Sequence, residues 1–143
     1  MPTLTVYSSS SDGHLIAYSN IDYVTAQTAA IANQISTGLD YISTGQWYTS
    51  IGGWWYVERG GLFFDTSVLP DGCTIISATL TIVPYGTPLD NDFNLTVVSG
   101  ADLADPLVAA NFGDLLDDVI SFGTSDTSDW VIDTATDITL NIA

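Results

Sequence analysis

The stretch "WWYVERGGLFFDTSVLPDGCTIISATLTIV", residues 54–83, carries the clearest strand signals of the chain. Successive side chains of a β-strand point to opposite faces, so an alternating sequence separates into two sets of residues. At the start, one face receives Trp54, Tyr56 and Glu58, and the other receives Trp55, Val57 and Arg59. At the end, "TIISATLTIV" places on a single face Ile76, Ala78, Leu80 and Ile82. The Pro-Asp-Gly sequence between them predicts a turn.

Further strand signals lie on both sides of this stretch. They are "TLTVY" (3–7), "HLIAYS" (14–19), "FNLTVVS" (93–99), "WVIDT" (130–134) and "DITLNIA" (137–143). About nine short strands separated by turn residues predict an all-β protein, a jelly-roll-like β-sandwich formed by a single domain over residues 1–143. The glycine pair at 60–61 indicates a bulge or a close backbone approach.

The sequence also predicts one pairing between strands and two short helical turns. We expect "TIISATLTIV" to pair with "FNLTVVS", because they follow one another along the chain. The alanine-rich segment at 23–36 is predicted as a short helix or as an extended segment. A second helical turn is predicted after Asp105-Pro106, where aspartate fits the N-cap and proline the first helical position.

The chain is strongly acidic. Its 143 residues include one Lys or Arg and 17 Asp or Glu, which gives a formal net charge of −16. A negative surface repels phosphate groups, so neither nucleic acid nor an anionic membrane is expected as a partner. The same charge keeps a protein soluble at high copy number and attracts divalent cations or a basic partner surface.

Cysteine content and the N-terminal sequence bear on the compartment. The single cysteine, Cys73, cannot form an internal disulfide. The first residues lack the basic and apolar regions of a signal peptide, and no apolar run approaches the roughly 18 residues that span a membrane. We therefore expect synthesis in the cytoplasm without an export signal, and a final location in a virus particle.

Arg59 is the only arginine of a chain that has no lysine. It could contact a carboxylate or a sugar outside the protein, or it could hold the fold together through an internal ion pair. A guanidinium binds a carboxylate through two parallel hydrogen bonds, and a buried pair of this kind is costly to break. We expect the structural role, with Asp65, Glu58 or an aspartate of a neighbouring strand as partner, and Asp65 is the first choice.

Aromatic residues are the candidate binding surface. The residues concerned are Trp47, Tyr48, Trp54, Trp55, Tyr56 and Trp130. Large aromatics dominate cores and subunit interfaces, and rings set in a row can also stack against sugars. Because Trp54 and Trp55 are adjacent in a strand, they must point to opposite faces. The set is interpreted as a subunit interface, with ordinary core packing and a sugar-binding platform as alternatives.

The loop aspartates are candidate ligands for calcium, which takes six to eight oxygen ligands. The pairs concerned are Asp90 with Asp92 and Asp102 with Asp105. No complete calcium-binding loop is present, so solvated turn residues are the alternative reading and no cofactor is certain.

Catalytic signals are weak: the chain has one His and one Cys without a motif around either, and it carries no nucleotide or zinc motif. We expect no enzymatic activity.

The central stretch resembles the DNRLRE-type domains. Their signature consists of an arginine, an apolar run ending in Phe-Asp, a turn with proline and an alternating strand. The matching positions here are Arg59, Leu62, Phe63, Phe64, Asp65, Leu69, Pro70, Thr74, Ile75, Ser77, Ala78, Thr79 and Leu80. The resemblance implies a sandwich like those of carbohydrate-binding modules. The segments "VYSSSSDGHL" and "DFNLTVVSG" are also similar to proteins of tailed phages.

Two functions follow as expectations. The first is a non-enzymatic structural protein of a viral particle, such as a capsid decoration or head/tail surface protein, that binds copies of itself and a major virion protein. The chain has no further strands after "DITLNIA", which the resembling domains usually have, so a neighbouring subunit is expected to complete the sandwich. The alternative is a carbohydrate-binding module of a phage or cell-surface protein.

Overall fold

A computed structural model describes residues 3–85, 92–117 and 120–141. The predicted all-β class is confirmed, because these residues form antiparallel sheets with only two short α-helices, consistent with a sandwich-like fold. The strands are β1 (Gly13–Ser19), β2 (Gln34–Thr37), β3 (Gly45–Thr49), β4 (Trp54–Gly61), β5 (Ala78–Ile82), β6 (Asn94–Val98), β7 (Ser121–Asp126) and β8 (Thr136–Leu140). The helices are α1 (Tyr23–Gln27) and α2 (Asn111–Asp117), and a 3-10 turn follows β7 at Thr127–Asp129.

The chain divides into two compact units. The first unit consists of Met1–Pro70 with Gly100–Asp117, and the second consists of Asp71–Ser99 with Asp118–Ala143. The first unit therefore contains β1 to β4 with both helices, and the second contains β5 to β8. That all 143 residues behave as one domain, completed by a neighbouring subunit, stays a prediction.

The first unit is built on a four-stranded antiparallel sheet in the order β2-β1-β4-β3. The long central pair runs from Gly13 opposite Gly61 to Ser19 opposite Trp55. This register aligns the alternation of both strands, so Leu15, Ala17 and Val57 share a face. That inner face is buried, which is the reason these apolar residues alternate with larger polar and aromatic ones.

The core of the first unit lies between the inner face and the two helical segments. Ala26 of α1 and Phe112 of α2 are fully buried against the sheet, together with Leu107 from the segment before α2. Asp22 caps α1, because its carboxylate accepts a hydrogen bond from the Thr25 N–H at 2.7 Å. A short helix can pack closely here because its sheet-facing residue is an alanine.

Glycines permit close approach at the far end of the central pair. A Cβ on Gly13 would lie 2.2 Å from the carbonyl oxygen of Ser36, so only glycine fits β1 against β2 at this point. At Gly60 the nearest atom would be a side-chain methyl of Ile42, at 2.8 Å. Neither predicted explanation for the pair at 60–61 holds. Strand β4 pairs with β1 in unbroken register through Gly61, and the atoms that approach the two glycines belong to the side chains of Ile42, Thr44 and Leu107 rather than to a backbone.

The second unit contains two two-stranded antiparallel sheets, one formed by β5 with β8 and the other by β6 with β7. The expected pairing of "TIISATLTIV" with "FNLTVVS" is therefore wrong. Alternation is as predicted where the strands form: Leu80 points inward between exposed threonines, and Ile138 of β8 is almost fully buried. The prediction for Ile76 is wrong, because β5 begins only at Ala78 and the Ile76 side chain is exposed. Strand β7 also lies close to β8 at Gly123, where an added Cβ would be 2.7 Å from the Thr139 carbonyl oxygen.

Three local predictions are corrected. The segments 3–7 and 130–134 form no strand, and Tyr7 and Val131 are exposed. Helix α2 begins at Asn111 rather than after Asp105-Pro106. The buried Asn111 side chain fixes the loop that leads into α2, because its Oδ1 accepts a hydrogen bond from the N–H of Val108, three residues earlier, at 2.9 Å.

Candidate functional site

An aromatic row crosses the outer face of the first sheet, which is the face opposite the core. Tyr18 of β1, Tyr56 of β4 and Trp47 of β3 lie directly opposite one another in the strand register. Ring centroids are 5.4 Å apart for Tyr18 and Tyr56 and 4.5 Å apart for Tyr56 and Trp47. Trp54 adds an edge-on contact with Tyr18 at 5.4 Å. We call these four residues the aromatic row.

The orientation of the rings limits what the row can bind. Trp47 and Tyr56 are parallel to within 3° at 4.5 Å, so each covers one face of the other. A flat sugar platform needs ring faces that lie side by side and open to solvent. Because β3 is the edge strand, the second face of Trp47 is directed away from Tyr56, and the Trp47 side chain is 43% exposed.

The remaining half of the outer face is covered by residues 41–44. Ile42 lies against Gly60, and the Ser43 hydroxyl donates a hydrogen bond to the Glu58 carboxylate. Tyr41 stacks on His14, which is buried and whose Nδ1 has no hydrogen-bond partner among the described residues. Residues 41–44 do not cover the aromatic row, in which Trp47 is exposed and Tyr18, Trp54 and Tyr56 are half-buried.

The inner face has a second aromatic group where β3 forms its edge. Trp55 contacts Tyr48 at 4.5 Å and Tyr23 of α1 at 6.1 Å between ring centroids. Beside them is an open cavity of ≈ 420 Å³ lined by Tyr23, Gln46, Trp47 and Trp55. Trp54 and Trp55 therefore point to opposite faces, as predicted, and Trp55 packs against the core.

The edge of the sheet that carries the aromatic row has no charged residue. From Tyr41 to Val57 the sequence contains no Asp, Glu, Lys or Arg, although the whole chain has a net charge of −16. The nearest acid along β4 is Glu58, whose carboxylate accepts the Ser43 hydrogen bond. Strand β1 contributes only His14 as a titratable basic group, and that residue lies under Tyr41. The exposed aromatic surface is thus neutral.

Arg59 acts inside the first unit. Its guanidinium donates hydrogen bonds to the carbonyl oxygens of Phe112 and Gln27, the latter at 2.7 Å. The carbon of the guanidinium also lies 4.0 Å from the centroid of the Phe112 ring. Burial lowers the pKa of this guanidinium, and interaction with Tyr23 opposes that change. One side chain on β4 thereby binds the last residue of α1 and the first turn of α2.

The ion pair expected between Arg59 and Asp65 is not formed. Asp65 is exposed and accepts a hydrogen bond from the Ser67 N–H at 2.9 Å. Hydrogen bonds from the Ser67 side chain and backbone lower the pKa of the Asp65 carboxyl. Backbone carbonyls take the place of the carboxylate because the core-facing side of β4 directs Arg59 toward the two helices.

The other predicted site residues do not join the aromatic row. Trp130 belongs to the second unit, where its Nε1 donates a hydrogen bond to the Ser125 hydroxyl at 2.9 Å. Asp92 belongs to the second unit as well, whereas Asp102 and Asp105 belong to the first, and all three are exposed. Asp90 lies outside the described residues. Within the described ranges, no group of three or more His, Cys, Asp or Glu side chains could hold a metal ion.

Three residues of the site were missed by sequence reasoning, namely Tyr18, Tyr23 and Gln46. The signal for Tyr18 was present, because it alternates with Leu15 and Ala17 in "HLIAYS" and must therefore point outward. Tyr23 and Gln46 depend on where α1 packs and on which strand forms the edge. Neither fact can be read from local sequence.

Comparisons of the chain with protein-family models, with curated proteins and with solved structures find no match. The resemblance to DNRLRE-type domains therefore stays a prediction. In the described part of the chain, neither helix has the length and hydrophobicity needed to cross a lipid bilayer.

Proposed function

We propose that this chain is a non-enzymatic structural protein of a viral particle, a capsid decoration or head/tail surface protein that assembles with copies of itself. The observation that carries the proposal is the uncharged aromatic row of an otherwise acidic chain, which is half-buried at Tyr18, Trp54 and Tyr56 and exposed at Trp47 on the edge strand. Exposed aromatic patches that lack charge are typical of protein interfaces, whose buried centres are enriched in Trp and Tyr and depleted of charged residues.

The distribution of charge supports self-association over binding of a basic partner. Two copies with a formal charge of −16 each repel one another, and the repulsion is least where the contacting surfaces carry no carboxylate. A basic partner would instead be attracted to the aspartate loops. The acidic remainder of the surface keeps the assembled form soluble, which suits a protein present in many copies.

The test is the molar mass of the purified chain in solution, measured by light scattering after size exclusion at low and at high NaCl concentration. Self-association should give a discrete multiple of 15.2 kDa. The assembly should become stronger as salt rises, because added ions screen the repulsion between copies. A mass of one chain at every salt and protein concentration would contradict the proposal. Calcium and a chelator, added in turn, test the aspartate loops in the same experiment.

A carbohydrate-binding module is the second candidate, and the open cavity beside Trp55 favours it. Its lining of Tyr23, Gln46, Trp47 and Trp55 combines aromatic residues with an amide, which are the groups that stack on and hydrogen-bond to sugars. Glycan-array binding by a monomeric chain, abolished in a Gln46→Ala variant but not in a Tyr7→Ala variant, would favour this function. Tyr7 is a suitable control because it is 86% exposed and does not line the cavity.

A further inference from the structure

Strand β3 is an edge strand without the usual protection. It pairs with β4, and with no other strand among the described residues, so its second backbone edge is open to another strand. Natural edge strands are commonly protected by lysine, proline, inward-pointing charges or bulges. The sequence "GQWYT" of β3 has none of the residue types that protect an edge, and both Trp47 and Tyr48 are exposed. An edge of this kind is a ready site for pairing with a further strand.

We propose that β3 pairs antiparallel with β3 of a second copy of this chain, about a twofold axis that passes beside Trp47. The inference rests on the proposed self-assembly and specifies the surface that carries it. A twofold pairing is self-complementary, so each residue meets its counterpart reciprocally. Centring the pair on Trp47 aligns all five residues from Gly45 to Thr49, and any shift of register loses pairs.

Charge identifies the second copy as the occupant. Each copy brings a net charge of −16, whereas residues 41–57, which contain β3 and the start of β4, carry no charged side chain. Pairing along β3 sets neutral residues of one copy against neutral residues of the other. It is the geometry in which two like-charged copies join without bringing carboxylates face to face.

The aromatic row supports the same geometry. Tyr56 covers one face of Trp47, and the second face is directed toward the open edge. In the proposed pair, each Trp47 lies directly opposite the partner's Trp47 on the outer face. The row of Tyr18, Tyr56 and Trp47 then continues into the same three residues of the second copy. Directly opposite aromatic pairs are favourable cross-strand contacts.

The test uses charge reversal at position 47. Trp47→Asp and Trp47→Lys each place two like charges opposite one another in the pair. Each variant alone should therefore dimerise about 100-fold more weakly than the wild type, or not at all. An equimolar mixture of the two should restore a heterodimer, because opposite charges then meet. Tyr7→Asp and Tyr7→Lys are the matched controls, because Tyr7 is an exposed aromatic residue outside β3 and should leave the dimer unchanged.

The outcomes separate the two proposals. If the wild type is monomeric under all conditions, the proposed function fails and the inference fails with it. If the wild type associates and Trp47→Asp associates equally well, self-assembly stands and pairing along β3 is refuted. Single variants that are folded but monomeric and do not combine when mixed would refute the twofold register. Circular dichroism checks folding, and if a variant is unfolded, amide exchange of wild-type β3 replaces the variants as the deciding measurement.

Discussion

Replacing Arg59 by Met should destabilise the first unit by about 3 kcal/mol. The side chain donates two hydrogen bonds to backbone carbonyls, and hydrogen bonds from a charged donor contribute about 1.5–3 kcal/mol each. The contact with the Phe112 ring adds about 0.5–1 kcal/mol. Because the guanidinium is only half-buried, water can partly replace these partners, and the lower end of the range applies. Arg59→Lys should lower the stability of the first unit by about half as much, since a single ammonium cannot reach both carbonyls in the way a planar guanidinium does.

The assay is urea denaturation followed by tryptophan fluorescence, in which three of the four tryptophans, at 47, 54 and 55, lie in the first unit. The control variant is Asp65→Asn, which would be as damaging as Arg59→Met if the two residues formed an ion pair. We expect it to change the midpoint far less, because Asp65 is exposed and binds only its local turn. A loss below about 1 kcal/mol for Arg59→Met would refute the structural role assigned to Arg59.

Three further predictions test the fold. Gly13→Ala should shift the urea midpoint far more than Gly60→Ala, because the added methyl meets the backbone oxygen of Ser36 in the first case and a movable side chain in the second. Asn111→Ala should lower the free energy of unfolding by about 1–2 kcal/mol in the same assay, since it removes the acceptor of the half-buried hydrogen bonds from the Ala104 and Val108 N–H groups. The melting temperature should fall as the pH drops below about 4. Local hydrogen bonds lower the pKa of three carboxyls in the folded chain, so their ionised forms stabilise the fold above that pH. This stabilisation is lost as the pH falls through the folded pKa values. The three are Asp22, Asp65 and Asp126. In a variant with all three replaced by Asn, the melting temperature should depend less steeply on pH below about 4. An equally steep dependence would refute the role assigned to these three carboxyls.

The alternation of β1 and β4 could be predicted because it is a local property. In "WWYVERGG" every second residue faces the helices, and the same holds for "HLIAYS", so the two faces of the central sheet were readable before the fold was known. The same reasoning correctly separated Trp54 from Trp55. The exposure of Trp47 follows from its place on the edge strand, which is a property of topology.

The partners of Arg59 could not be predicted, because they are backbone carbonyls 32 and 53 residues away in sequence. Sequence analysis favours a carboxylate for a buried arginine, and backbone oxygens give no residue-specific signal. The pairing of β5 with β8 was missed for a related reason. Strands β5 and β6 follow one another along the chain, yet β6 pairs with β7 and β5 pairs with β8, so the order of the strands in sequence does not identify the partner of β5.

Amide hydrogen exchange of the wild-type chain, compared between dilute and concentrated solutions, tests most directly whether the uncharged edge of the sheet is an interface. The peptide that covers Gly45–Thr49 should exchange more slowly at high concentration, because a second strand then protects its open backbone edge. Peptides from the exposed turn at 66–68, which is not part of β3, should not change. Exchange of β3 that does not depend on concentration, in a chain whose mass shows association, would contradict the account.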